Sequence, residues 1–307
     1  MRQVVFILLA VCAVGCTAAP DRETGPSQVT VPLLVEGNRP LVDVDLRRTD
    51  GTTRSARFLV DSGGGGFLLV EPLARELGCR WGEVRREEGS AFATIDNPPP
   101  ASVGTFPLTL DPDRVTVMLG VQSILPPAAV VRAEGMFPGH LLARYHVVLD
   151  YPGGTFTLAR AGVLTPRGEA LPMPVSEGHG FPRTELEVDG TRYGFLIDSG
   201  ASFTMVSEVL LKTLGERHAD WPRQPGAAGE AATLGGTTLE TMVVPRARWG
   251  TLELAQLGWV SQRQGTFERY MSSMMTAPIV GSLAGNVLKQ FRVELDYANE
   301  KLYLSRP

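Results

Sequence analysis

Two aspartates stand at the ends of apolar runs in this chain: Asp61 in "FLVDSG" (58–63) and Asp198 in "FLIDSG" (195–200). A carboxyl can work as a general acid or a general base, so an acid at a strand end is a candidate for proton-transfer chemistry. Each is followed by serine and glycine, and the first copy runs on through Gly64, Gly65 and Gly66. Glycine lets the backbone turn tightly and leaves space beside the carboxyl. Taken singly, Asp-Ser-Gly after a strand is also ordinary turn chemistry. Their matching surroundings set these two apart.

Those surroundings form a repeat. Residues 58–78 lie over 195–215 without a gap, with nine of 21 positions identical. Residues 135–158 lie over 281–304 with eight of 24 identical, including Leu149-Asp150-Tyr151 against Leu295-Asp296-Tyr297. Two blocks in the same order point to one structural unit used twice. In each copy an alternating strand (40–46 and 184–188) precedes an Asp-Gly turn, then comes the strand that ends at the aspartate. A short helix follows, with Val70, Leu73 and Leu77 on one face in the first copy and Val206, Leu210 and Leu214 in the second. Pro72 falls in the first turn, where it is tolerated. Gly78 and Gly215 are placed at helix ends, where a left-handed residue is expected. A β-rich middle, a short helix and a hairpin complete each copy. The expected organisation is a first lobe over 30–160, a linker over 161–174 and a second lobe over 175–307.

An apolar strand that delivers Asp-Ser-Gly into a tight turn resembles the active-site motif of aspartic proteases. Two tandem copies resemble the retropepsin-like proteins, fused as in a pepsin-like chain. The resemblance implies a mainly β fold: two pseudo-symmetric retropepsin-like β-barrel lobes with short helices, in a pepsin-like bilobal arrangement. It implies an endopeptidase in which Asp61 and Asp198 share one proton and grip one water. The ionised member would take a proton from that water, and the protonated member would polarise the scissile carbonyl. Ser62 and Ser199 match the family's Ser/Thr, whose hydroxyl braces one lobe's loop against the other. Gly63 and Gly200 match the glycines that allow the close approach. The second copy continues through Ala201-Ser202 as the family does; the glycine run of the first departs from it. Ile279-Val280-Gly281 fits the family's two apolar residues and glycine behind the loop, whereas Ala133-Glu134-Gly135 brings a charge to the core or an edge. The first lobe is therefore the divergent one. Covering hairpins are expected near 89–103 and 226–236; neither stretch contains a tyrosine.

Composition narrows the rest. The chain has 307 residues, 43% hydrophobic and 20% charged, with a net charge of −4. It carries no basic block, which argues against a nucleic-acid partner. The four histidines form no HExxH pattern, so neither a metal nor a cofactor is expected. His140 and His146 are expected at a surface or on a backbone group. Cys79 is the only cysteine beyond residue 16 and reads as packed or capping. Trp221, Trp249 and Trp259 are scattered, as core residues are. The chain begins Met1-Arg2-Gln3, then an apolar run over 4–14 and "AVGC" (13–16). That resembles a bacterial lipobox: a signal peptide over 1–16, lipidation of Cys16 and a tether over 17–29. An ordinary signal cleaved near Thr17–Ala19 is the alternative. Both place the folded part outside the cytoplasm, in the first case anchored to a bacterial membrane facing the periplasm or the cell surface. The expected partner is a peptide or an unfolded protein, met by a monomer. Two rival readings stand beside the hydrolase: a lipoprotein that binds peptide in a pepsin-like cleft without cutting it, and lobes that each await a partner chain. The separation of the two carboxyls discriminates among them.

Overall fold

The computed structural model describes residues 25–87, 89–223, 233–234, 237–238 and 240–307. The leader, Cys16, most of the expected tether and most of the second covering hairpin lie outside the described residues.

The chain enters through β1 (Gln28–Pro32), which takes in Gln28 and Val29 at the edge of the expected tether. Next, β2 (Leu34–Glu36) and β3 (Arg39–Arg47) form a hairpin that turns through Gly37 and Asn38, both at positive φ. β3 runs antiparallel to β4 (Thr53–Asp61), with Leu41 opposite Leu59. β4 buries Phe58, Leu59 and Val60 before it releases Asp61. β5 (Phe67–Val70) leads into α1 (Glu71–Glu76), which buries Leu73 and Ala74 and carries Pro72 in its first turn. Gly78 follows at φ +76°, as expected of a left-handed helix end. Four short strands come next: β6 (Arg85–Glu87), β7 (Ser90–Thr94), β8 (Ala101–Val103) and β9 (Phe106–Leu108). β10 (Val115–Leu119) then runs parallel to β5. β11 (Gly135–Pro138) slots between β4 and β5, parallel to the first and antiparallel to the second. The lobe is one ten-stranded sheet in the order β6-β7-β10-β5-β11-β4-β3-β8-β9, with β2 also on β3. α2 (Gly139–Leu142) and the hairpin of β12 (His146–Asp150) and β13 (Thr155–Ala159) close it. The stretch expected to be a plain linker contains a strand, β14 (Glu169–Pro172).

The second lobe repeats the plan. β15 (Arg183–Val188) and β16 (Thr191–Asp198) pair across an Asp189-Gly190 turn with both residues at positive φ. β17 (Thr204–Ser207) leads into α3 (Glu208–Arg217), whose first turn is capped by Ser207 Oγ on the Leu210 amide at 3.1 Å. This helix runs past Gly215, so that glycine does not end it. Gly215 has no positive φ, and the Arg223 guanidinium fills the space where its side chain would begin. After the short β18 (Thr233–Leu234) and β19 (Thr237–Thr238) come the long hairpin β20 (Thr241–Trp249) and β21 (Leu252–Gln262), then β22 (Gly281–Ala284) and α4 (Gly285–Leu288). The ladder β15-β16-β22-β17-β21-β20 closes into a barrel.

The last hairpin, β23 (Arg292–Asp296) and β24 (Lys301–Ser305), joins the lobes. Its β23 pairs with β12, Leu149 opposite Val293, inside a six-stranded sheet ordered β1-β13-β12-β23-β24-β14. Apolar packing is continuous through both halves, from Phe58, Phe137 and Phe156 to Phe195, Trp259 and Phe291. Each such side chain contributes about 1.5–3 kcal/mol by leaving water. The sheet also corrects the expectation for His146. That ring is buried and lies 2.8 Å from the carboxylate of Glu294, a fully buried acid across the seam. Burial pushes Glu294 up, but His146 and Arg292 outweigh it and hold the carboxyl below its ordinary value.

Candidate active site

The slotting of β11 between β4 and β5 leaves the chain after Asp61 to cross over the end of an intervening strand. β22 does the same between β16 and β17. Asp61 stands opposite Pro138 in β11, and Asp198 opposite Ala284 in β22, so both acids leave their sheets at equivalent places. The crossing loops are held alike: the Gly139 amide donates to Gly64 O at 3.1 Å, and the Gly285 amide to Ala201 O at 3.0 Å.

The loops then meet. Ser62 Oγ donates to Ile197 O at 2.6 Å and accepts the Ser199 amide at 3.0 Å. Ser199 Oγ donates to Val60 O at 2.7 Å and accepts the Ser62 amide at 3.0 Å. Both serines are fully buried, so these four mirrored bonds have no water to compete with them. They carry the acids together, so that each carboxyl lies against the glycine of the opposite loop and the two interact directly. The glycines are required by that approach. A Cβ at Gly200 would lie 2.5 Å from both Asp61 oxygens, and one at Gly63 would lie 3.1 Å from Asp198 Cγ.

The environments of the two acids differ. Asp61 accepts the Gly63 amide at 2.9 Å. Asp198 accepts the Ala201 amide at 3.1 Å and is also bonded by the Gly200 amide. Burial, and then the charge of Asp198, push Asp61 up; burial likewise pushes Asp198 up against the pull of its amides. Two acids this close cannot both ionise at modest cost, so they titrate as a pair holding one proton. The better-solvated anion is Asp198, with amides from two residues against one for Asp61.

All six loop residues expected from the motif, Asp61, Ser62, Gly63, Asp198, Ser199 and Gly200, thus come together at one place. Other expectations lie elsewhere. Cys79 packs against the core, its thiol pushed up to about 11 by burial. Glu134 lies neither in the core nor at a sheet edge: it directly precedes β11, bonded through its backbone to Arg57 and Val70 on either side, and its half-buried carboxylate pairs with Arg54 at 2.9 Å. His140 is pushed down to about 4 by burial and by Arg114. Trp249 and Trp259 are core, and Trp221 stacks on His218 with centroids 4.1 Å apart. A cavity of about 580 Å³ lies between β14 and β15, lined by Leu171, Pro172 and Arg183 among others, and includes neither acid. Two residues near the pair were not singled out from the sequence. Tyr151 is buried, and burial and then the charge of Asp198 push its hydroxyl up. Arg39 Nε donates to Gly200 O at 2.9 Å. Neither carries a local motif; the internal repeat of Leu-Asp-Tyr was the one available signal for Tyr151.

Comparison with known proteins agrees with this architecture. The model of a family described as aspartyl protease matches residues 184–264, a stretch that contains Asp198. No curated protein matches. Among solved structures, the crystal structure of an aspartic proteinase from Irpex lacteus is similar at 11% identity. The alignment has a TM-score of 0.51 and covers 91% of this chain and 97% of that one. The chain has an aspartic-protease-like fold.

Proposed function

We propose that this chain is an aspartic endopeptidase, and that a water held between Asp61 and Asp198 attacks the peptide bond. The observation that carries the reading is the serine bridge that brings two buried acids from separate lobes together, each against the glycine of the other's loop. In this scheme Asp198, with the greater share of amide donors, is the carboxylate that takes the proton from water. Asp61 is the acid that polarises the scissile carbonyl and passes its proton on. Only the singly protonated pair does both. Because both acids are raised, that state persists above the ordinary carboxylate range. Cleavage is expected to peak on the acid side and to fall as pH rises through the upper titration.

The test is incubation of residues 25–307 with a peptide mixture across pH, with and without a transition-state mimic of the aspartic class. Cleavage that the mimic blocks supports the proposal. Retention of peptides without cleavage would support the peptide-binding reading instead. We also propose, from the run at 13–16, that Cys16 is lipidated and holds the protein at a bacterial membrane outside the cytoplasm. C16S should then lose fatty-acid incorporation and membrane retention; retention of both would overturn that part.

A further inference from the structure

The two acids share one proton, yet the surroundings that set its affinity are not shared equally between the lobes. The hairpin of β2 and β3 docks on the second lobe beside the acid loop. Asn38 Nδ2 donates to Ser202 O at 3.1 Å, Ser202 Oγ donates to Gly37 O at 2.5 Å, and Lys289 Nζ donates to Asn38 Oδ1 at 2.8 Å. Arg39, the next residue, donates through Nε to Gly200 O at 2.9 Å. Gly200 is the residue whose missing side chain admits the Asp61 carboxyl.

Among the described residues, the second lobe offers no such group at the equivalent position. Leu41 stands opposite Leu59 in the first lobe, and Arg183 opposite Leu196 in the second. Two residues before each lie Arg39 and Phe181. Phe181 is buried with Leu196, Phe267 and Ile279 and brings no charge. One lobe therefore supplies a guanidinium at a position where the other supplies a phenyl ring.

We propose that Arg39 is a positioning residue of this site: it clamps the loop that carries Asp198 and sets the fixed positive charge beside which the two carboxyls hold their proton. This inference rests on the reading of Asp61 and Asp198 as the working acid pair. The ionisable groups that act on the acids are Arg39 and, just past the end of β12, Tyr151. Those near Arg39 are the two acids, Glu36 on its own hairpin and Lys289 after α4. The Glu36 carboxylate accepts the Val130 amide at 3.0 Å. The charge of Arg39 pulls down both acids, opposing the upward push of burial. A cation near two carboxyls favours their ionised form, so its loss makes the pair hold its proton to higher pH.

The test follows the carboxyl carbons of Asp61 and Asp198 by NMR through a pH titration, in residues 25–307 and in R39M, R39K and N38A. This readout does not require cleavage, so an inactive parent would sink the proposed function without touching the role of Arg39. In R39M the titration should move up by roughly half a pH unit, since the charge of Arg39 acts more weakly on the acids than burial and the loop amides do. R39K keeps the charge and should stay within about 0.3 unit of the parent. N38A loosens the same hairpin by removing the Asn38 bonds and should leave the titration in place. If the parent cleaves peptide, the alkaline limb of its kcat/KM profile should move with the NMR titration in R39M. An unmoved titration in R39M, or an equal shift in R39K or N38A, would overturn the proposal. If R39M does not fold, R39Q removes the same charge and should show the same upward shift; an unmoved titration in R39Q would overturn the proposal.

Discussion

The first lobe spreads ten strands into one sheet, and the second closes six into a barrel. Their acid loops are nonetheless near-copies, bond for bond, through Ser62 and Ser199. What differs is the flank. After Asp61 the chain passes through Gly64, Gly65 and Gly66; after Asp198 it passes through Ala201, Ser202 and Phe203. Ser202 anchors the neighbouring lobe's hairpin, and Gly65 has nothing within 4 Å of where a side chain would begin. The geometry of the pair tolerates little change; beyond it the second loop is tied to its neighbour through Ser202, whereas the first has open space at Gly65.

That comparison can be broken most directly at the acids. D61N and D198N should each lower kcat/KM on an unfolded protein substrate by about 10³-fold, by similar amounts, because the pair acts as a unit. A variant that retained the parent's rate would show that the two lobes do not share the work. The next largest effect is expected at the seam. H146A leaves the buried Glu294 without its ring partner and should cost about 3 kcal/mol, read from the midpoint of urea unfolding. Mirrored bonding is tested by S62A and S199A, each expected to cost about 2 kcal/mol. A large inequality between them would show that one loop carries the other.

The acids themselves should tax the fold as pH rises. A carboxyl whose pKa is raised on folding contributes stability at low pH and loses it as pH rises through its folded titration. The parent should therefore weaken relative to D61N across that range, by roughly 1.4 kcal/mol for each pKa unit between folded and unfolded chain. Thermal melts of the two proteins at acid and mildly alkaline pH would measure it. The smallest effect is expected at the glycine run: G65A should change stability by less than about 0.5 kcal/mol, since that site is open and its φ is not positive. A large loss there would mean the divergent flank is under tighter constraint than its neighbour.

Much of this was legible in the chain. The repeat placed both acids at equivalent strand ends, because apolar runs, Asp-Gly turns and helix faces are local signals. The serine bridge followed from the family resemblance rather than from any pattern in the residues. Long-range partners were not legible. The repeat marks the closing hairpins that contain residues 146–150 and 292–296, but it does not reveal that these strands pair with each other and so bury His146 against Glu294. Gly215 misled because a glycine late in a helix is a common stop, while here the neighbour Arg223 takes up its space. Arg39 was silent for the same reason: its meaning lies in Gly200, far along the chain.

One further consequence comes from the six-stranded sheet that joins the halves. It contains both β1, the first strand described, and β24, which ends two residues before the C-terminus. A growing chain could lay down the whole opening half and still lack the strands that seat its counterpart. Strand pairs this far apart along the chain close slowly, so the seam that seats the two acid loops is among the last parts of the molecule to form.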